Sequence, residues 1–313
     1  MVFEEAPIPK PLPGEALVEV YFSGVNFVDT YYRAGLYKPP SLPFIPGSEA
    51  AGIVSEVGEG VDEVRVGDRV AYAMSLGSYA EFAAVPAWKL ARLPDSMDFA
   101  VGAAIMLQGM TVHYLCYSTF PLKSGHTALV HAGAGGVGQL LIQVARRIGA
   151  RVLATAGTPE KAELAKLAGA DEAIVYATQN FESEVMRLTG GKGVDVVYDG
   201  VGAATWEKSL NCLRPRGYLV LYGNASGPTP PVDPLLLMSK GSLFLTRPTL
   251  HHYASSRQEI QSRADDLFAW IGSGALKLRR DFVFPLRDAV AAHTELEGRR
   301  TTGKVLLKVK EQV

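Results

Sequence analysis

The sequence predicts an α/β protein that combines a doubly wound parallel sheet with a smaller, mostly antiparallel β domain. The first hundred residues hold short alternating or β-branched runs cut by glycine and proline, such as EALVEVYF and GDRVAYAM. Such spacing is typical of a small, curved antiparallel domain. After Gly125, strand-like runs alternate with helical patterns. This alternation indicates a parallel sheet with right-handed crossovers.

The alternating strands and helices after Gly125 can be assigned one by one. The predicted strands are TALVHA, RVLATA, EAIVY, VDVVYDG and GYLVLYG, and the predicted helices cover 136–148, a segment from Pro159, 181–188 and 205–213. Past SLFLT, the pattern indicates one longer helix over 259–271 and a final strand, GKVLLKV. Because the parallel sheet is complete by then, we expect this tail to return to the first domain.

Composition indicates a globular protein and argues against a nucleic-acid-binding role. The 31 basic and 32 acidic residues give a net charge of −1, and 48% of the residues are hydrophobic. Cys116 and Cys212 lie far apart, which argues against a disulfide framework and a cysteine zinc cluster. The start does not resemble a signal peptide, and the apolar run FAVGAAIML is too short to span a bilayer. We therefore expect a soluble cytoplasmic protein with no membrane and no nucleic-acid partner.

The stretch HAGAGGVG predicts a dinucleotide site. Gly133 suits a tight turn, Gly135 leaves room for the backbone to approach a pyrophosphate, and Gly138 allows close packing of helix on strand. The N-terminus of the following helix offers free N–H groups to an anion. A glycine-rich turn by itself can serve only a tight connection. Here a strand precedes it and an amphipathic helix follows, which favours nucleotide binding.

The end of the second parallel strand favours NADPH over NADH. Proteins that bind NAD place an acid there, on the ribose 2′-hydroxyl. This sequence has Thr155, Ala156 and Gly157 at the expected position, followed by Thr158 and Lys161. An acid would repel a 2′-phosphate, whereas an ammonium group would bind it. The alternative is that Lys161 is a solvated lysine in the first turn of the next helix.

These motifs, with PGSEAAGIVSEVGEGVDEVRVGDRV at 46–70, SGVNFVDTYYRAGLY at 23–37 and LQGMTVHYL at 107–115, carry a family resemblance over nearly the whole chain. The chain resembles the medium-chain dehydrogenase/reductase superfamily and, within it, the zinc-free quinone oxidoreductases related to zeta-crystallin. The resemblance implies a GroES-like catalytic domain over 1–110 and 250–313 and a Rossmann domain over 111–249. It also implies a homodimer formed through the nucleotide domain, with SLFLT as the edge strand.

Two positions separate the chain from zinc-dependent relatives. Those relatives have a metal-binding cysteine where this chain has Asn26 and a metal-binding histidine where it has Ser48. Amide and hydroxyl groups are poor zinc ligands, so we expect no metal. The six histidines are expected to have core or surface roles.

The resemblance implies further cofactor contacts. Thr111 is expected near the nicotinamide, Gly136 and Val137 with Gly135 at the pyrophosphate, and Tyr176 beside Lys161 at the 2′-phosphate. Gly223 and Asn224 in YGNASG, with Phe244 and Thr246 in SLFLT, are expected to flank the nicotinamide ribose. Alternatively, Tyr176 packs at a strand end, Asn224 serves a turn, and Phe244 belongs to the core.

The predicted reaction is metal-free hydride transfer from NADPH to a quinone bound in the cleft between the domains. With no Lewis acid, hydrogen-bond donors must meet the charge that develops on the acceptor oxygen. Asn26, Tyr31 and Tyr37 are the candidate donors, and Asp29 is expected to orient the cofactor or the tyrosines. Tyr31 could instead pack within a short helix.

Two other functions are compatible with the sequence. The same donors would suit the enolate formed when an α,β-unsaturated carbonyl is reduced. A different class is a non-catalytic NADPH-binding protein with a crystallin-like or RNA-binding role. The balanced charge argues against RNA binding.

Overall fold

The computed structural model describes residues 1–311 of the chain. These residues form two compact units. One unit contains Met1–Met110 together with the segment that begins at Tyr253, and the other is Thr111–His252. Each unit is built around its own sheet.

The first unit contains a seven-stranded sheet. Its strands are β1 (Glu15–Val25), β2 (Glu49–Val57), β3 (Arg69–Ala73), β4 (Phe82–Pro86), β5 (Ala91–Arg92), β12 (Phe282–Pro285) and β13 (Val305–Lys308). The strand order is β12-β13-β1-β2-β3-β5, and β4 also pairs with β1. All pairs are antiparallel except β12 with β13. The pairing of β13 with β1 places the end of the chain in the same sheet as its first strand.

The core of this sheet follows the alternation of the sequence. Ala16, Val18 and Val20 of β1 are fully or almost fully buried and pack with apolar side chains of β2, β3 and β4. Burial of alternate residues fixes the register, because a slip by one residue would expose the whole apolar face.

The helices of the first unit lie around this sheet. They are α1 (Phe27–Arg33), α2 (Phe99–Tyr114), α9 (Arg257–Gly272) and α10 (Ala289–Glu297). Helix α2 begins in this unit, ends in the second unit, and continues as a π-helical turn at Leu115–Thr119. Among the described residues, this continuous stretch alone is long and apolar enough to cross a membrane, and 83% of its most apolar window is buried. It is a core helix, as burial of this extent requires.

The second unit contains six parallel strands. They are β6 (Thr127–Val130), β7 (Arg151–Ala156), β8 (Glu172–Val175), β9 (Val194–Asp199), β10 (Leu213–Leu221) and β11 (Phe244–Thr246). The order β11-β10-β9-β6-β7-β8 reverses direction between β6 and β9. Ligands of doubly wound sheets bind at the carboxyl ends of the strands at this switch point. The predicted fold class is confirmed.

The helices of the second unit connect these strands. They are α3 (Gly136–Ile148), α4 (Pro159–Leu167), α5 (Phe181–Leu188), α6 (Trp206–Asn211) and α7 (Pro234–Ser239), and α8 (Leu250–Tyr253) crosses the boundary. The sequence pattern predicted α3 to α6 and α9. It did not predict α7, α8, α10 or β12, and α7 and α8 are shorter than two helical turns, too short to show a period.

Candidate active site

The glycine loop lies at the switch point of the parallel sheet, between β6 and α3. A Cβ atom at Gly138 would lie 2.3 Å from the carbonyl oxygen of Ala132, so helix and loop are in backbone contact there. A Cβ atom at Gly133 would lie 3.0 Å from the Cβ atoms of Ala154 and Ala165. At Gly135, one atom, the oxygen of Ala132 at 3.2 Å, lies within 4 Å of such a Cβ. Gly135 therefore leaves open space at the helix N-terminus, where a pyrophosphate fits.

Gly135 is also the N-cap of α3, with φ −74° and ψ 169°. The next two predicted contacts, Gly136 and Val137, are the first helical residues and are half-buried. Their N–H groups belong to the first turn of the helix, which has no intrahelical acceptor. The start of α3 therefore combines open space at Gly135 with backbone N–H donors at Gly136 and Val137.

Four predicted residues meet at the ends of β7 and β8. Tyr176 follows β8, and its hydroxyl would lie 2.9 Å from a Cβ atom at Gly157. Thr158 caps α4, and its Oγ1 accepts from the N–H of Lys161 at 3.3 Å. Lys161 is half-buried, and Tyr176 is 45% exposed. Tyr176, Thr158 and Lys161 therefore belong to the same end of the sheet.

An acidic neighbour of this group was missed by the sequence analysis. Glu160, in the first turn of α4, is fully exposed, and hydrogen bonding to Thr158 lowers the pKa of its carboxyl below the ordinary value. The strand end itself has no carboxylate, but one lies two residues after Thr158. A 2′-phosphate bound here would have to avoid it.

At the ends of β9 and β10, backbone packing is equally close. A Cβ atom at Gly223 would lie 2.5 Å from the carbonyl oxygen of Gly200. With its amide oriented to satisfy both neighbours, Asn224 donates to the oxygen of Gly223 and accepts from Arg247 Nη2 at 3.3 Å. Arg247 follows β11 directly, so it joins Asn224 to the strand that carries Thr246.

The two remaining predicted cofactor residues, Phe244 and Thr111, lie in β11 and in α2. Phe244 starts β11, stacks on Tyr218 with ring centroids 4.4 Å apart, and lies two register positions before Thr246. It is therefore set back from Asn224. Thr111 is buried in α2, at the first residue of the second unit.

Helix α1 of the first unit carries three predicted residues. Its N-cap is Asn26, whose backbone N–H donates to Asp29 Oδ2 at 2.8 Å, and the backbone N–H of Asp29 donates back to the Asn26 carbonyl. Asp29 is fully buried and also accepts from Ser48 Oγ at 2.9 Å and from Tyr79 Oη at 3.2 Å. Burial raises the pKa of Asp29 to about 6 against the lowering effect of these donors.

Asn26 is tied into a buried charged group. Its Nδ2 donates to Glu49 Oε2 at 2.9 Å and to the carbonyl of Gly24 at 3.3 Å, and its Oδ1 accepts from Lys304 Nζ at 2.8 Å. Both amide hydrogens therefore bond within the protein. This arrangement indicates a structural role for Asn26 and argues against the predicted donation from Asn26 to the substrate.

Tyr31 and Tyr37, the two other candidate donors, are in contact with each other. Their rings meet edge to face with centroids 5.3 Å apart, and the Tyr37 N–H donates to the Tyr31 carbonyl at 3.1 Å. Both side chains are half-buried, and Tyr32 completes the group against Tyr37 at 5.8 Å. Partly exposed phenol groups that lie this close together can donate hydrogen bonds to an oxygen atom of a bound molecule.

The residues that the sequence analysis missed share one feature. Glu49, Tyr79, His293 and Lys304 are buried polar groups whose partners lie far along the chain. The one local signal was Lys304, a charged residue that directly precedes the apolar residues Val305, Leu306 and Leu307. Within residues 1–311, no group of three His, Cys, Asp or Glu side chains is placed to hold a metal ion.

Comparison with known families agrees with both units. Residues 12–95 match the alcohol dehydrogenase GroES-like domain, and residues 136–270 match the zinc-binding dehydrogenase family. Fold and matches together make the chain a member of the medium-chain dehydrogenase/reductase superfamily of oxidoreductases.

Individual relatives show which family of this superfamily the chain belongs to. A quinone oxidoreductase of Pseudomonas aeruginosa is 48% identical over 299 residues, which cover 95% of this chain and 92% of that protein. The solved structure of Escherichia coli quinone oxidoreductase complexed with NADPH matches with a TM-score of 0.95 at 45% identity, covering 98% of this chain and 95% of the other. A 2-haloacrylate reductase of Burkholderia is 44% identical over 313 residues, which cover 98% of this chain and 94% of that protein. The chain belongs to the quinone oxidoreductase family.

Proposed function

We propose that the protein is an NADPH:quinone oxidoreductase. The observation that carries the proposal is the open space beside Gly135 at the N-terminus of α3. This space fits the pyrophosphate of NADPH, which the E. coli relative binds. The ammonium group of Lys161 and the hydroxyl group of Tyr176 supply donors for a 2′-phosphate, beside Thr158 at the N-cap of α4.

The chemistry is a two-electron reduction. NADPH supplies a hydride, and a proton from solution completes the conversion of quinone to hydroquinone, with NADP⁺ as the other product. The protein orients the reactants and stabilises the negative charge on the acceptor oxygen. Tyr31 and Tyr37 are the proposed donors, since Asn26 spends its amide hydrogens inside the protein.

A second candidate activity is reduction of an activated carbon–carbon double bond. The 44% identity to a 2-haloacrylate reductase favours it. A phenol that stabilises the oxyanion of a quinone would equally stabilise an enolate formed from an unsaturated acid or ketone. A non-catalytic NADPH-binding role is the third outcome that the experiment below separates.

We further propose that the enzyme works without zinc, as a homodimer, in the cytoplasm. Asn26 and Ser48 offer amide and hydroxyl groups and are bonded to Glu49 and Asp29, which supports metal-free catalysis. The edge strand β11 exposes 49% of Phe244, and an exposed edge favours pairing with a second copy. The two free, buried cysteines, Cys116 and Cys212, suit a reducing compartment.

The test is a substrate panel under one set of conditions. NADPH oxidation is followed at 340 nm with 1,4-benzoquinone, with 2-chloroacrylate, with an enone and with no acceptor. Quinone-dependent oxidation at the highest kcat/KM supports the proposal, and a preference for 2-chloroacrylate or the enone supports the second candidate. NADPH binding without oxidation by any acceptor contradicts both and supports the non-catalytic role.

A further inference from the structure

A chain of hydrogen bonds links the buried carboxylate of Asp29 to an ion pair at the surface. Tyr79 Oη lies 3.2 Å from Asp29 Oδ2 and 2.9 Å from His293 Nε2. His293 Nδ1 lies 3.1 Å from Arg33 Nη1, and Arg33 Nη2 pairs with Glu297 Oε1 at 2.6 Å. Asp29 and Arg33 are four residues apart on α1, so the chain leaves this helix and returns to the same face.

The direction of every bond in this chain is determined by Arg33. A guanidinium group only donates, so His293 Nδ1 must accept and the ring hydrogen must be on Nε2. The Nε2–H then donates to the oxygen of Tyr79, and the hydroxyl hydrogen of Tyr79 is directed to Asp29. The whole chain points its donors toward the carboxylate, which favours the charged form of Asp29.

The electrostatic surroundings agree with this direction. His293 is fully buried, and burial, followed by the charge of Arg33, lowers the pKa of His293 to about 4 against the opposing charge of Glu297. The ring is therefore neutral near pH 7, as its bond from Arg33 requires. Burial, followed by the charge of Asp29, raises the pKa of Tyr79, so its hydroxyl stays protonated.

Asp29 itself is balanced between burial and its donors. Besides Tyr79, the groups that favour its charge are the Asn26 N–H, Ser48 Oγ and the ammonium of Lys304. Two more titratable groups share these surroundings. After burial and Asp29, the charge of Glu49 also raises the pKa of Tyr79, and after burial and Tyr37, the charge of Asp29 raises the pKa of Tyr32. With the pKa of Asp29 at about 6, loss of one donor moves its titration into the neutral range.

We propose that Tyr79 and His293 are positioning residues of the reductase, which hold Asp29 charged and thereby hold the first turn of α1 in the geometry that presents Tyr31. The inference rests on the proposed function and adds two residues to it. Charged Asp29 binds the Asn26 N–H at the start of α1 and the Ser48 hydroxyl before β2. Neutral Asp29 would hold these donors more weakly and loosen the helix that carries the tyrosine.

The experiment removes one hydroxyl group. Tyr79→Phe keeps the ring, which packs on Gly47 so closely that a Cβ atom there would lie 2.2 Å from Tyr79 Cδ1. We expect the acid limb of the pH profile of kcat/KM for benzoquinone to move up by about one pH unit, the effect of one hydrogen bond to a charged group. The KM for NADPH stays at the parental value, and turnover recovers at high pH.

Two variants of His293 test the direction of the chain. His293→Leu removes the donor to Tyr79 and the acceptor for Arg33, so it shifts the acid limb in the same direction but by less. His293→Gln can donate to Tyr79 through its amide nitrogen and accept from Arg33 through its oxygen, so it restores the parental profile. Tyr72→Phe is the matched control, because the Tyr72 hydroxyl is buried and has no hydrogen-bond partner among the described residues.

A titration that needs no turnover separates this inference from the proposed function. The carboxyl ¹³C resonance of Asp29, assigned with Asp29→Asn, reports its midpoint in the parent and in Tyr79→Phe. A higher midpoint in the variant supports the inference even if the parent oxidises no NADPH with quinone. An unchanged midpoint, or an equal loss of activity by Tyr79→Phe at every pH, overturns it.

Discussion

The ammonium group of Lys304 and the carboxylate of Glu49 form an ion pair at 2.5 Å, and their side chains are 1% and 0% exposed. The same Glu49 accepts from Asn26 Nδ2 at 2.9 Å and from the Leu107 N–H at 2.6 Å. The pair therefore joins the residue before β13, the first residue of β2, the start of α1 and the middle of α2 at one buried point.

Breaking this pair from one side should be costly. In Lys304→Met, the carboxylate of Glu49 stays buried with no countercharge, and we expect the free energy of unfolding to fall by about 3–5 kcal/mol. Urea unfolding followed by circular dichroism measures it. Lys308→Ala, which breaks the exposed pair with Glu311, is the control, with an expected loss below about 1 kcal/mol. Equal losses in both variants would contradict the prediction.

Two glycines of the nucleotide loop should respond differently to the same added methyl group. Gly138→Ala places a Cβ atom against the Ala132 carbonyl, and we expect it to destabilise the free protein by about 1–3 kcal/mol. Gly135→Ala has an allowed φ of −74° and should keep its stability, but its methyl group occupies the space for the pyrophosphate. A loss of NADPH affinity of roughly tenfold is expected there. Thermal unfolding and fluorescence titration distinguish the two effects, and a stable Gly138→Ala protein would refute the assigned packing.

Lys161 should determine the preference for NADPH. Lys161→Ala removes the proposed partner of the 2′-phosphate, so we expect NADPH to bind roughly tenfold to a hundredfold more weakly, while NADH binding is nearly unchanged. Lys166→Ala, on the same helix but exposed, is the control. Similar weakening of both nucleotides would assign Lys161 to folding instead.

Tyr31 should act in the chemical step and not in nucleotide binding. Tyr31→Phe keeps the ring contact with Tyr37 and removes one donor, so we expect kcat with benzoquinone to fall by up to about a hundredfold. NADPH affinity should be retained. Stopped-flow measurement of hydride transfer checks the step directly, with Tyr72→Phe as the control. Parental rates in both Tyr31→Phe and Tyr37→Phe would rule out the tyrosines as donors.

Catalysis should be independent of metal. Asn26 and Ser48 are engaged by Glu49 and Asp29, so we expect dialysis against a chelator to leave kcat unchanged and the purified protein to contain zinc well below one ion per chain. Elemental analysis and activity after dialysis check this. Activity that is lost on chelation and restored by zinc would refute it.

Local patterns were sufficient for the second unit from residue 127 to residue 221, but not for α7. The predicted helix 136–148 agrees with α3 at both ends, and the strand and helix alternation from 127 to 221 is found in the parallel sheet. The reason is that consecutive elements of this fold are neighbours, so short-range periodicity contains most of the information. The same reasoning showed that no acid stands at the end of β7, but it did not consider the exposed Glu160 nearby.

Long-range pairing limited what could be predicted for the first unit. Tyr79 and His293 are 214 residues apart, and Asn26 and Lys304 are 278 apart. Asn26 was predicted as a donor to the substrate because the family resemblance places its segment at the substrate site, whereas its partners Glu49 and Lys304 lie far from it in the sequence. Phe244 was expected to flank the nicotinamide ribose together with Asn224 and Thr246, and only the register of β11 with β10 shows that its ring stacks on Tyr218.

The sequence by itself determined the two sheet types, the nucleotide loop and the absence of an acid at the end of β7, because these depend on residues that are close in the chain. The tertiary structure alone decided which polar groups are buried together. Whether a side chain such as Asn26 faces a substrate or another residue depends on the desolvation of partners that only folding brings within hydrogen-bonding distance.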